Sequence, residues 1–203
     1  VFTGIIEAVG RIAAVKSGGQ TAAVTIEAGG LDMSDVAIGD SIACNGVCLT
    51  VTRLVPGGFA VDVSQETLRV SSGFGAGNAV NLEKSLRLSD RLGGHLVSGH
   101  VDGVGTVTAV KPVDGNREFM VRFPAELGRY IARKGSITVN GVSLTVNSVT
   151  ADTFSINLIP HTLAVTNLKD LKAGAKVNLE IDLVARYVER MLFEGGSSRL
   201  VSE

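Results

Sequence analysis

The chain repeats itself at a fixed spacing, and this repeat limits the possible folds more than any other feature. Residues 45–51 read NGVCLTV and residues 140–146 read NGVSLTV, an offset of 95 residues (140 minus 45). The same offset places Gly4 on Gly99, and the segment VNLE at 80–83 returns at 177–180 after a two-residue insertion. A repeat of this length fits a compact domain rather than a solenoid unit.

The repeat predicts a duplicated domain followed by a separate C-terminal segment. We place the first domain at residues 1–94, the second at 95–182 and the segment at 183–203. Composition agrees with two ordinary globular cores, since 45% of the residues are hydrophobic and 19% are charged.

Both copies are predicted to be β-structure. Short runs rich in Val, Ile and Thr, such as residues 22–27, 59–63 and 138–139, are separated by Gly, Asp and Asn turn signals. The Asn-Gly pairs at 45–46 and 140–141 suit a two-residue type I′ turn, because both of its central residues need positive φ. Short strands at near-regular spacing favour a small closed barrel in each copy, since closure removes exposed strand edges.

Helical patterning is sparse, with one candidate at residues 125–133 and a stronger one from Leu183 onward. Asp182 can cap the second helix and Gly195-Gly196 can end it. Because two complete barrels precede this helix, its apolar stripe has no core of its own to cover, and we expect it to serve in oligomerisation. The stripe comprises Leu183, Val184, Tyr187, Val188, Met191 and Leu192.

Charge and composition argue against several classes of protein. The net charge of −1 and pI of about 6.4 give no electrostatic footprint for nucleic acid or an anionic membrane. No apolar run approaches the roughly 20 residues of a membrane span, and the first residues lack the pattern of a signal peptide. Two cysteines are too few for a disulfide framework, so we expect a reducing, cytoplasmic location.

Three apparent motifs are interpreted as structural. The glycine-rich run at 73–77 precedes a strand-like segment rather than a helix, so it predicts a loop and not a dinucleotide fingerprint. His95 and His100 would face opposite sides of a strand, which is poor for a shared metal. Cys44 and Cys48 would point to different faces, and Cys44, which matches a valine in the other copy, is expected in the core.

The copies differ at one chemically informative position, Cys48 in the first and Ser143 in the second. Each is followed two residues later by Thr, at Thr50 and Thr145, and alternation puts both members of a pair on the same strand face. After a tight turn these residues are expected near a barrel mouth, where small polar groups can orient a ligand. Their alternative role is ordinary strand surface. Residues 93–103 contain four glycines, which suggests that something approaches the backbone closely there.

Six segments together resemble the signature segments of the riboflavin synthases of the alpha-chain type. They are residues 2–7, 45–51, 66–69, 93–103, 141–146 and 159–163, and they occur in the family's order over essentially the whole chain. The loop at 71–77 departs from this pattern, because it is shorter and richer in glycine than its counterpart at 166–174.

The resemblance implies an all-β fold of two six-stranded Greek-key barrels, with a C-terminal helix that joins three subunits. It implies the conversion of two molecules of 6,7-dimethyl-8-ribityllumazine into riboflavin and a ribitylamino-pyrimidinedione, without metal or other cofactor. Each active site would lie between the N-terminal barrel of one subunit and the C-terminal barrel of a neighbour. Association with lumazine synthase stays open.

The resemblance also implies the residues of the two pockets. The N-barrel pocket would comprise Gly4, Ile5, Ile6, Cys48, Leu49, Thr50, Asp62, Val63, Ser64, Gln65, Glu66 and Thr67. The C-barrel pocket would comprise Gly99, His100, Val101, Lys134, Ser143, Leu144, Thr145, Leu158, Ile159, Pro160, His161, Thr162 and Leu163.

Among these residues, His100 is the first candidate for proton transfer, because histidine titrates near neutral pH. Ser143 and Thr145 would hold the substrate or a water at the reactive ring carbon, with Asp182 as a nearby acceptor. Cys48 would be either a nucleophile or a polar wall, and Phe2 would cover the pocket.

Two other kinds of protein are compatible with the barrels. A non-catalytic lumazine- or flavin-binding antenna protein of the same superfamily would have a decayed site in one barrel. A scaffold or interaction module would need no ligand-binding mouths at all. The presence of His100, Ser143, Thr145 and Asp182 favours the enzyme.

Overall fold

The computed structural model describes residues 1–195 of the chain, with side chains as far as Leu192. It contains two closed six-stranded barrels in which the strands have the same order, and all strand pairs are antiparallel. The predicted helix stop at Gly196 and the tail to residue 203 lie outside the described residues. The duplicated small barrels expected from the sequence pattern, and the six strands in each that the resemblance implies, are confirmed.

The first barrel is built from strands in the order β1-β2-β5-β4-β3-β6, and the second in the equivalent order β7-β8-β11-β10-β9-β12. The first six strands are β1 (Ala8–Gly18), β2 (Thr21–Glu27), β3 (Ser41–Cys44), β4 (Val47–Val55), β5 (Gly58–Ser64) and β6 (Ala79–Lys84). The others are β7 (Gly103–Val113), β8 (Asn116–Arg122), β9 (Ser136–Val139), β10 (Val142–Val149), β11 (Thr153–Leu158) and β12 (Lys176–Ile181). Helix α1 is Gln65–Val70, α2 is Pro160–Val165 and α3 is Leu183–Gly195.

The duplication extends to local irregularities of the backbone. Strand β1 has a register shift between Ile12 and Ala14, and β7 has one between Val107 and Ala109, at the same offset. Each barrel also encloses its own apolar core, in which equivalent phenylalanines at 59 and 154 are fully buried. Equivalent bulges and equivalent core residues show that each copy closes around its own interior.

The two Asn-Gly turns meet where the barrels touch. Asn45 and Asn140 both have φ of 48°, and Gly46 and Gly141 have φ of 81° and 80°, as a type I′ turn requires. A Cβ on Gly46 would lie 2.8 Å from the backbone nitrogen of Gly141, so only glycine permits this contact. The turn prediction is confirmed, and the glycines also allow the barrels to pack.

Buried asparagines join the barrels through reciprocal hydrogen bonds. Asn81 Nδ2 donates to the carbonyl of Asn140 at 3.0 Å, and Asn178 Nδ2 donates to the carbonyl of Asn45 at 3.0 Å. The backbone amide of Asn167 donates to Asn81 Oδ1 at 2.8 Å. Because these groups are removed from water, each bond fixes the relative position of the barrels.

The helix predicted at 125–133 is a 3-10 helix that ends earlier, at Tyr130. The chain leaves the helical conformation at Ile131, whose side chain is buried in the core of the second barrel. Helix α3 begins as predicted, with Asp182 Oδ1 accepting from the amide of Val184 at 2.9 Å.

Polar contacts hold α3 on the second barrel and leave most of its apolar stripe exposed. Arg186 pairs with Asp102 at 2.5 Å, and Arg129 pairs with Glu189 at 2.6 Å. Tyr187 and Met191 are 62% and 74% exposed. No helix in the described part of the chain combines the length and apolar character needed to cross a membrane.

Candidate active site

The chain segments that begin the two domains each lie against the other barrel. The backbone amide of Ser143 donates to the carbonyl of Gly4 at 2.8 Å, and that of Cys48 donates to the carbonyl of Gly99 at 2.8 Å. Ile6 packs against the core of the second barrel and Val101 against the core of the first. The predicted grouping of residues 4–6 with Cys48 and of residues 99–101 with Ser143 is therefore wrong, and the two segments exchange places.

A short antiparallel bridge between Phe2 and Val97 joins the two exchanged segments. The amide of Phe2 donates to the carbonyl of Val97 at 2.7 Å, and the amide of Val97 donates back at 3.1 Å. The Phe2 ring is fully buried in a cluster with Val97 and Ala43, beside Cys48. The prediction that Phe2 covers a pocket is therefore wrong. Its buried ring anchors the start of the chain between the barrels.

The differing pair, Cys48 and Ser143, lies on the outer faces of the barrels. In β4 the buried residues are Val47, Leu49 and Val51, whereas Cys48 is half-buried and Thr50 is exposed. Ser143 and Thr145 have the equivalent placement on β10. The expectation that each pair shares a face is met, but that face is turned away from the barrel interior, so the pairs do not line a mouth.

Two buried glutamates hold the exchanged segments in place. Glu83 accepts from the amide and hydroxyl of Thr3, both at 2.6 Å, and from the amide of Gly4 at 2.9 Å. Glu180, its equivalent in the repeat, accepts from the amide and hydroxyl of Ser98 at 2.7 and 2.6 Å. It also accepts from the amides of Gly99 and His100, at 3.0 and 3.1 Å.

Burial raises the pKa of both glutamates, and the donors around each carboxylate oppose that effect. Several N–H and O–H groups converge on each pair of oxygens, which suits an ionised carboxylate with acceptor positions only. Glu83 therefore fixes the backbone of residues 3–4, which lies next to Ser143. Glu180 fixes that of residues 98–100, which lies next to Cys48.

His95, which was excluded above as a metal ligand and given no other role, contacts Ser143. Its Nδ1 lies 2.7 Å from Ser143 Oγ, and its ring is buried. Burial lowers the pKa of His95 below its usual 6.5, an effect that the nearby negative charge of Asp182 partly opposes. The His95 imidazole thus touches the hydroxyl that was predicted to meet the substrate.

Of the other candidates for catalysis, His100 is exposed and belongs to the segment on the first barrel, beside the strand of Cys48. Asp182 is half-buried at the start of α3. Lys134 is exposed and has a φ of 67°, and its amide donates to Val146 at 2.7 Å. The structure thus places His100 and Ser143 beside different barrels of one chain.

The remaining predicted contacts lie at equivalent strand ends and short helices. Asp62 and Ser64 end β5 and are exposed, and Ser64 Oγ caps α1 by accepting from the amide of Thr67 at 3.0 Å. Gln65 and Glu66 continue into α1. In the second barrel, Ile159 precedes α2, which contains Pro160, His161, Thr162 and Leu163.

Three predicted contacts are corrected, because their side chains belong to barrel cores. Leu49 and Val63 are buried in the first core, and Leu158 is buried in the second. Alternation along each strand turns these side chains inward while their neighbours face out. Leu144 is half-buried and packs against the second core.

A cavity of about 630 Å³ lies beside the first barrel. Its wall is rich in charged side chains, including Asp35, Lys84 and Arg91, and among the predicted site residues Ile5 alone contributes to it. The cavity is thus next to the exchanged N-terminal segment but does not include Cys48 or Ser143.

The two cysteines are not bonded to each other. Cys44 is buried in the first core, where burial raises the pKa of its thiol, and it faces Val47 rather than Cys48 across the hairpin. Within residues 1–195, no three His, Cys, Asp or Glu side chains are placed to share a metal ion.

The sequence interpretation missed Glu83, Glu180 and the contact of His95 with Ser143. The glutamates were visible as matching positions of the repeat, in the VNLE segments. Their function was hidden because charged residues are normally exposed. His95 gave no such signal, because it lies outside the matching segments of the repeat.

Comparison with known proteins identifies the domain. A family model described as the lumazine binding domain matches the chain twice, over residues 3–85 and 98–182. The chain therefore belongs to the lumazine-binding family.

Full-length relatives narrow the assignment. The riboflavin synthase of Photobacterium phosphoreum is 47% identical over 95% of this chain and 89% of its own length. That of Bacillus subtilis is 41% identical over 98% of this chain and 93% of its own length. That of Mycobacterium tuberculosis is 44% identical over 97% of this chain and all of its own length. Within the lumazine-binding family, the chain belongs with the riboflavin synthases.

Solved structures show the same architecture. A crystal structure of LumP complexed with riboflavin superposes with a TM-score of 0.82 at 26% identity, covering 89% of this chain and 99% of that chain. LumP complexed with 6,7-dimethyl-8-(1′-D-ribityl) lumazine gives a TM-score of 0.79 at 27% identity, with the same coverage.

Proposed function

We propose that the chain catalyses the riboflavin synthase reaction, the transfer of a four-carbon unit between two molecules of 6,7-dimethyl-8-ribityllumazine. The products are riboflavin and 5-amino-6-ribitylamino-pyrimidinedione. The observation that carries this proposal is the full-length identity of 41–47% to riboflavin synthases, combined with two equivalent lumazine-binding domains. Because donor and acceptor are the same molecule, two copies of one binding domain suffice for both.

The proposed chemistry needs little beyond positioning and proton transfer. Lumazine supplies an acidic methyl group and an electrophilic ring carbon, so the protein has to orient two rings, move protons and offset developing charge. Ser143 and Thr145 would contact the ring on the second barrel, and Cys48 and Thr50 would do so on the first. His100 and Asp182 would assist proton transfer.

We further propose that the transferase is a cytoplasmic homotrimer, with domain limits at residues 94 and 182. Cys48 and Ser143 lie on outward faces, which supports a site completed by a second chain. The exposed apolar stripe of α3 supports assembly through that helix. In this arrangement an N-terminal barrel would meet the C-terminal barrel of a neighbour.

Lumazine or flavin binding without catalysis is the second candidate, since the LumP structures contain those ligands. Sequence identity favours the enzyme, because it is 41–47% to riboflavin synthases and 26–27% to LumP.

Incubation of the purified protein with the lumazine alone, in the presence of a chelator, tests the proposal. We expect riboflavin to accumulate, with the pyrimidinedione in equal amount. Tight binding of the lumazine without any riboflavin would favour the binding protein and contradict the enzyme.

A further inference from the structure

We propose that His95 is a positioning residue that acts through Ser143 at the second barrel's site. Its ring holds the Ser143 hydroxyl in place and accepts the hydroxyl proton. This inference rests on the proposed function and adds to it a residue outside the predicted pocket.

The contact between His95 and Ser143 is fixed on both sides. The His95 amide donates to the carbonyl of Thr3 at 3.1 Å, and the Ser143 amide donates to that of Gly4 at 2.8 Å. A Cβ on Gly94 would lie 2.9 Å from Ser143 Oγ, so the glycine lets the segment approach the hydroxyl. The ring and the hydroxyl are therefore held in place before any ligand binds, as a preorganised pair requires.

The other ring nitrogen of His95 indicates that the contact is more than structural. Nε2 is buried and makes no hydrogen bond within the described residues. Most buried polar atoms are satisfied, so an unpaired ring nitrogen calls for a physical explanation. Among the described residues, the side chain of His95 hydrogen-bonds to Ser143 alone. The ring is therefore oriented so that Nδ1 hydrogen-bonds to the hydroxyl, although this leaves Nε2 buried without a partner.

Two opposing electrostatic effects act on the His95 ring, and both bear on proton transfer from Ser143. Burial lowers the pKa of the ring, and the negative charge of Asp182, at the start of α3, opposes that effect. When Ser143 Oγ takes a proton from the bound lumazine, the original hydroxyl proton passes to Nδ1. The bond from lumazine to hydrogen and the old O–H bond break as a new O–H bond and an N–H bond form. The reverse transfer restores the pair, and Asp182 offsets the transient positive charge.

The first barrel carries a different group at the position equivalent to Ser143. Cys48 occupies the position equivalent to Ser143. A thiol ionises far more readily than a serine hydroxyl, which requires an adjacent base to act as an acceptor or nucleophile. The contact with His95 therefore gives the serine of the second barrel an adjacent base, whereas the first barrel has a thiol at that position.

The substitution His95→Asn tests the proposal, because asparagine can still hydrogen-bond to Ser143 but cannot take up its proton. We expect kcat to fall on the order of 10²-fold or more, while the lumazine still binds, as measured by fluorescence titration. We also expect the acid limb of the kcat profile to change in the variant, because protonation of His95 contributes to that limb in the wild type. Near-normal kcat with an unchanged pH profile would overturn the proposal.

The same substitution in a Ser143→Ala background separates action through Ser143 from general disturbance. If His95 acts through the hydroxyl, the second change adds no further loss of kcat. Independent, multiplying losses would overturn the proposal. Should His95→Asn fail to fold, His95→Gln replaces it in both measurements. Wild-type protein that forms no riboflavin would refute the proposed function, and this inference with it.

Discussion

The carbonyl of Gly4 accepts a hydrogen bond from the amide of Ser143, 2.8 Å away, so the first residues of the chain complete the outer surface of the second barrel. Gly4 has a φ of +77°, and a Cβ added to it would lie 2.6 Å from the Cβ of Ser143. The site of one barrel thus depends on backbone from the other domain.

The substitution Gly4→Ala should therefore reduce both stability and turnover, because the methyl group would displace the strand that contains Ser143. Gly19→Ala is the matched control, since Gly19 also has positive φ, +60°, but has no atom within 4 Å of the added Cβ. The control should cost only the backbone strain, about 1–2 kcal/mol. Thermal melting and kcat measured on both variants check this prediction. Equal effects would show that the contact with Ser143 is unimportant.

The asparagines between the barrels offer a test of the interface. Asn81→Ala would leave the carbonyl of Asn140 and the amide of Asn167 buried without their partner. We expect a loss of about 1–3 kcal/mol for each group in the free energy of unfolding. Asn78→Ala removes one long, exposed contact of 3.4 Å and should change stability little. Urea unfolding measures both, and similar values for the two variants would contradict the account.

The lowered pKa of His95 predicts a specific dependence of stability on pH. Unfolding exposes the ring and returns its pKa to about the usual 6.5. The unfolded chain then binds the proton more readily than the folded protein. The contribution of His95 to the free energy of unfolding is therefore full above pH 6.5 and declines as the pH falls toward the lowered value.

Urea unfolding of wild type and His95→Asn on either side of pH 6.5 measures this contribution. The stability difference between the two pH values should be smaller in the variant. The same difference in both proteins would show that the pKa of His95 is not lowered by folding.

The apolar stripe of α3 predicts how the protein assembles. Introducing charge with Tyr187→Glu and Met191→Glu should dissociate the oligomer and leave the barrels folded, because these side chains are exposed in the single chain. Ile38→Glu is the control, since Ile38 is 67% exposed on a different part of the surface. Sedimentation velocity distinguishes the outcomes. An unchanged mass for the α3 variant would remove the helix from the assembly.

The fold could be predicted largely because the duplication is recorded in the sequence. Asn45-Gly46 and Asn140-Gly141 specify tight turns, and β-prone runs between turn signals indicate small closed barrels, whose six strands each were implied by the resemblance. The exchange of the N-terminal segments could not be predicted. The offset that pairs Gly4 with Gly99 is the same whether each segment lies on its own barrel or on the other.

The orientation of the site residues could not be predicted from the sequence, for a related reason. Alternation shows that Cys48 and Thr50 share a face but does not say which face is turned to the core. The contact between His95 and Ser143 spans 48 residues and depends on the bridge of Phe2 to Val97. Contacts of this kind arise from tertiary packing and have no local pattern.

The most direct test of the account is whether the two halves of the product ring come from different lumazine molecules. Lumazine labelled with carbon-13 in the ring carbons and methyl groups of the transferred unit is mixed with an equal amount of unlabelled lumazine and incubated with the protein. Mass spectrometry of the riboflavin should find unlabelled, half-labelled and fully labelled product, with the half-labelled form as abundant as the other two together. Riboflavin without the half-labelled form, or lumazine that is bound and never converted, would contradict the account.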